Sequence, residues 1–89
     1  MNYIAEVKKA LAKESGCEGH LLDLYTLLVF TKGTDVTLED VHDAWAIWKN
    51  NIMPDHKSLI PFWKLDEDVQ ELDREYADAI AKVAVEFGL

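Results

Sequence analysis

The sequence predicts an all-α fold, a small four-helix bundle with a structured irregular connector between its third and fourth helices. Three observations predict it. Apolar residues recur at helical spacing in four separate stretches. Caps and glycines mark the ends of those stretches. Between the third and fourth, PDHKSLIPFWKL carries two prolines and no helical period.

In the first stretch, Asn2 to Glu14, residues Tyr3, Ile4, Val7, Ala10 and Leu11 form an apolar face, and Glu6, Lys8, Lys9 and Lys13 the opposite one. The Ser15-Gly16 pair closes it. Residues 18 to 32 are apolar on nearly every side, as expected of the most enclosed helix, and Gly33 is its stop. Thr37 is placed to cap the third helix, with Glu39 and Asp40 in the first turn, where acids favour the helix dipole. Val36 and Val41 suit a hydrophobic staple across that cap. Leu38, Val41, Trp45, Trp48 and Ile52 make one stripe of this helix, which should end near Asn50-Asn51, ahead of Pro54. The connector's Leu59, Ile60, Phe62, Trp63 and Leu65 imply that it is packed on the bundle. Asp66 is the expected cap of the last helix, whose buried face reads Val69, Leu72, Tyr76, Ala79, Ile80, Val83 and Phe87 before Gly88.

The 89 residues suffice for one domain with a modest core, and no repeat or second domain is visible. A formal charge of -8 repels nucleic-acid backbones, which excludes general nucleic-acid binding. The single cysteine, Cys17, allows no internal disulfide and points to a reducing compartment, so a cytoplasmic location is expected. The apolar run Leu27 to Phe30 is far too short to span a bilayer, and the N-terminus lacks a signal-peptide core, so no membrane association is expected.

Residues 41 to 65 hold all three tryptophans, both prolines and two of the three histidines. Such crowding serves either a small core or the wall of a binding site. Trp45, on the inward stripe, reads mainly as a core anchor. Trp48 and Trp63 are freer to meet a ligand, Trp63 lying beside Pro61 in irregular chain. His42 and His56 read as hydrogen-bonded structural residues or as polar readers of a ligand. Lys49, Lys57, Lys64 and Arg74 offer charge to an anion, but acids from Asp55 to Asp73 lie in the same interval and could pair with them. No nucleophile elbow, HExxH or phosphate-cradling glycine loop is present, and the three histidines are scattered over three elements. Enzymatic activity, a metal site and a cofactor are therefore not expected.

The order of motifs from the third helix onward resembles the RyR domain, the helical module named for its repeats in ryanodine receptors. The resemblance rests on His42-Asp43-Ala44-Trp45-Ala46, on His56-Lys57-Ser58-Leu59-Ile60-Pro61-Phe62 with Leu65, and on Leu72-Asp73-Arg74. It covers about half of the chain. Lys57 stands where that family has proline, and Asn50 to Met53 replace its longer glycine-tryptophan turn. The layout also looks like that of short proteins common in actinobacterial phage genomes.

What the resemblance implies is a non-enzymatic module that binds a small nucleotide-derived ligand, and in a phage setting a sponge for a defence second messenger in the host cytoplasm. Trp45, Trp48, Trp63 and Pro61 would wall the pocket, His42 and His56 would read polar edges, and Lys49, Lys57 and Arg74 would meet phosphate. A rival reading is an acidic adaptor or inhibitor that occupies a host protein. A third is a ligand-free homo-oligomer whose tryptophans seal the interface.

Overall fold

The computed structural model describes residues 2–89, and among them there are only helices, turns and irregular chain. Helix α1 (Tyr3–Ser15) begins where the Asn2 side chain accepts the Ala5 N–H at 2.8 Å. It ends at Gly16, whose φ of 74° is left-handed and lets its N–H return to the Ala12 carbonyl. Helix α2 (Gly19–Thr31) buries Leu22, Tyr25, Thr26 and Val29. Thr26 is tolerated there because its hydroxyl donates to the Leu22 carbonyl at 2.7 Å. Gly33, in a short 3-10 turn, is buried with φ +56° and lies against Ala84 and the C-terminal Leu89.

Helix α3 (Leu38–Ile52) starts with a full capping box between Thr37 and Asp40, as the sequence suggests. Its buried residues are Val41, His42 and Ala44. The inward face is thus turned from the expected stripe: Ile52 is exposed, and Trp45 and Trp48 are half-buried. The inner side of the helix faces the connector as well as the core.

The connector contains a single 3-10 turn, Phe62–Lys64. Three side-chain bonds tie it down. The His42 Nε2–H donates to the Ile60 carbonyl at 2.8 Å, and the Gln70 amide donates to the carbonyls of Phe62 and Leu65, both at 3.1 Å.

The last helix is interrupted. A one-turn helix α4 (Glu67–Gln70) passes through a 3-10 turn, Glu71–Asp73, into helix α5 (Arg74–Glu86). Asp66 is extended like a cap, yet its side chain makes no capping bond and lines a groove with Lys57 and Lys64. The tighter 3-10 turn shifts the register of the apolar face, so Leu72 is 67% exposed where a continuous helix would bury it. Phe87 is also exposed, because the chain turns back at Gly88 to bond Leu89 N–H to the Ala84 carbonyl at 2.8 Å.

The core joins Val7 and Leu11 of α1, Leu22, Tyr25 and Val29 of α2, Val41 of α3, and Ile80, Val83 and Ala84 of α5. Small residues on α5, Ala77, Ala79 and Ala84, bring it close to α1 and α2. The ion pairs Lys8–Asp23 and Lys82–Glu14 tie α1 to both neighbours at the surface, where solvent screens them and they add little.

Candidate functional site

A cavity of about 340 Å³ opens where α2, α3, the connector and the α4–α5 junction meet. That is at the low end of the roughly 300–1,000 Å³ typical of small-molecule sites. Each wall has a local cause. Helix α2 contributes Leu21 and Tyr25, one turn apart on its inner face. Helix α3 contributes His42 and Trp45, one turn apart, their rings stacked with centroids 5.8 Å apart and planes at 28°. The connector contributes His56, Ser58 and Leu65, with the His56 ring edge-on to Trp45 at 5.2 Å. The helical interruption contributes Val69, Leu72 and Asp73, and α5 adds Tyr76.

The hydrogen bonds assign the ring nitrogens. A carbonyl can only accept, so Nε2 of His42 carries the proton that reaches Ile60 O, and Nδ1 is left without a proton in the neutral ring. In His56 the roles fall differently. Its Nδ1 accepts the Ser58 N–H at 3.0 Å, which leaves an Nε2–H free to donate in the neutral ring.

Asp73 is half-buried, and among the described residues its carboxyl makes no hydrogen bond or ion pair. The neighbouring Arg74 is turned away in a two-bond pair with Glu71, both bonds 3.1 Å. Desolvation therefore pushes the Asp73 carboxyl above its ordinary value, with His42 opposing that rise. Burial raises the phenols of Tyr25 and Tyr76 as well, so both remain neutral hydroxyls at physiological pH. The chamber is thus aromatic and apolar on most sides, with one carboxyl, two imidazoles, the Ser58 hydroxyl and the phenol hydroxyls of Tyr25 and Tyr76 as polar groups.

A second groove, about 200 Å³, adjoins the cavity: Ser58, Leu65 and Val69 line both. Lys57, Lys64 and Asp66 supply its charge.

Residues 1–85 match the family described as a domain of unknown function, DUF7701. The chain belongs to that family. No curated protein and no solved structure matches it.

Of the residues singled out from the sequence, the cavity of this family member gathers His42, Trp45 and His56. Lys57 lies in the adjoining groove. Pro61 lines a shallow groove on the other side of His42, with Ile47, Asn50 and Ile60. The remaining four are elsewhere. Trp63 is 70% exposed, with Lys64 Nζ 5.1 Å from its ring centre. Lys49 lies over Trp48 at 5.4 Å, and neither lines the cavity. Arg74 is held by Glu71 at the surface. The residues that sequence reasoning passed over are Tyr25, Tyr76, Ser58 and Asp73. Asp73 carries a signal in the sequence, the Leu72-Asp73-Arg74 motif, in which the arginine is the residue expected to meet a ligand. Tyr25 had a fainter one, as the only aromatic hydroxyl in an aliphatic helix.

Among the described residues no cluster of histidine, cysteine and carboxylate side chains is arranged to hold a metal ion, and no helix is long and apolar enough to cross a membrane.

Proposed function

We propose that this chain binds a small nucleotide-derived ligand without turning it over, with the base in the 340 Å³ cavity and the phosphate in the adjoining lysine groove. One observation carries the reading: a chamber walled by Trp45, Tyr25, Tyr76 and two imidazoles shares a wall with a groove bearing Lys57 and Lys64. Aromatic walls favour a flat base, at about 1–3 kcal/mol per stacked base. The cavity lining has no lysine or arginine, so a phosphate has its natural place outside, between the two lysine ammonium groups. The resemblance to the RyR domain supports the same class of ligand, and a sponge for a nucleotide signal is one use of such a module.

Thermal stabilisation by 5′-mononucleotides and cyclic nucleotides tests it. A binder present at a hundred times its Kd stabilises by about 2.7 kcal/mol, and Trp45, on the cavity wall, reports occupancy by quenching. No shift and no quenching across the nucleotides would sink the reading.

The rival, a protein partner, draws on a different surface. Ile47 and Ile60 are exposed beside the shallow groove at Pro61. Ile47→Asp would abolish a protein complex formed there and leave nucleotide binding intact.

A further inference from the structure

The polar groups inside the cavity have a pattern. Asp73 offers two oxygens that only accept, no side chain of the described residues bonds to them, and no fully buried side-chain oxygen or nitrogen lacks a partner. The free oxygens of Asp73 are therefore within reach of whatever enters. His56 offers the opposite: its Nδ1 is occupied by the Ser58 N–H, so its neutral ring presents a donor. The lining thus combines a bidentate acceptor with an imidazole donor, beside the hydroxyls of Ser58, Tyr25 and Tyr76 and between aromatic faces.

Among the common bases only one presents the complement along a single edge. Guanine has a carbonyl oxygen, an imino N–H and an exocyclic amino group in a row, and a carboxylate accepts the last two together in short, charge-assisted bonds. Adenine sets a ring-nitrogen lone pair beside its amino group, and cytosine does the same. Uracil's N–H is flanked by two carbonyls. Each of these places a lone pair against the second Asp73 oxygen.

We infer that the cavity selects a guanine-type base, with Asp73 accepting its imino and amino N–H groups and His56 donating to its carbonyl oxygen. This rests on the nucleotide reading and names the base. The half-buried carboxyl then has a role that the fold alone does not supply: an acidic group kept unpaired in an apolar chamber is matched when the ligand brings the donors.

The test is a tryptophan-quenching titration of the whole chain with GMP, IMP and AMP. IMP keeps the carbonyl and imino groups of guanine and lacks only the amino group. GMP is expected to bind about tenfold more tightly than IMP, the effect of one charge-assisted bond, and AMP more weakly than GMP. In Asp73→Asn, whose folding is checked by circular dichroism, the GMP to IMP ratio should collapse towards one. Equal affinities for GMP and IMP in the natural chain overturn the inference, as does an Asp73→Asn variant that keeps the ratio. If IMP or AMP binds as well as GMP, the base assignment fails and the nucleotide reading stands. If none of the three binds, the inference fails, and if the cyclic nucleotides also give no thermal shift, the nucleotide reading fails with it.

Discussion

Desolvation raises the Asp73 carboxyl above the ordinary aspartate value of 3.8, and the groups that face it are His42, Tyr25 and Tyr76, with no lysine or arginine side chain bonded to it. The folded chain then holds the proton at pH values where the unfolded chain has released it. Stability contributed at this residue is full at low pH and falls as the pH rises from about 3.8 through the raised value. Asp73→Asn should match the natural chain in acid and exceed its unfolding midpoint near neutrality, while losing selectivity for the ligand. Urea unfolding at both pH values checks the sign. Substitution at His42 lowers stability instead. It is 3% exposed and its Nε2–H holds Ile60 O, so His42→Phe leaves that carbonyl without its partner. A loss of about 1–3 kcal/mol is expected, with faster amide exchange at residues 59 to 60 than elsewhere in the connector.

At the scale of elements, the sequence marks helix starts well because a cap is a local event. Thr37 and Asp40 bond each other's backbones within four residues, and Thr37→Ala should cost about 0.5–2 kcal/mol. Calorimetric unfolding measures it. Gly33 has a reason of a different kind. Its φ of +56° lies where a side chain costs about 1–2 kcal/mol, and a Cβ there would sit 3.5 Å from the Leu89 carbonyl oxygen. Gly33→Ala should lose about that much stability in the same measurement. The broken last helix shows the limit of local signals. Nothing in EDVQELDREY forbids one continuous helix, yet the 3-10 turn at Glu71–Asp73 brings Asp73 into the cavity lining and leaves Leu72 at its rim.

For the whole molecule, Ile80 and Val83 of α5 meet Val7, Leu11, Leu22 and Val29 in one core, and Ile80 is fully buried. Ile80→Ala should destabilise by about 2–5 kcal/mol, a large share of the stability of so small a domain. Chemical denaturation followed by tryptophan fluorescence measures it. The cavity lies beside this core, with Tyr25 on the wall between them, so loss of packing at Ile80 should also loosen ligand binding.

Helix number, the caps at Gly16 and Thr37, and the irregular character of the connector could all be read from residue order. They depend on interactions within a few residues along the chain. The site could be read only in part. His42, Trp45 and His56 announced themselves as residue types, but Tyr25, Ser58, Asp73 and Tyr76 join them only because α2 and the α4–α5 junction close on α3. The same closure separates Trp63, Trp48, Lys49 and Arg74 from the chamber, although they stand out as strongly in the sequence. Spacing along a chain reports which residues share a helix face. Which faces meet, and whether a carboxyl between them finds a partner, is settled by packing among segments dozens of residues apart.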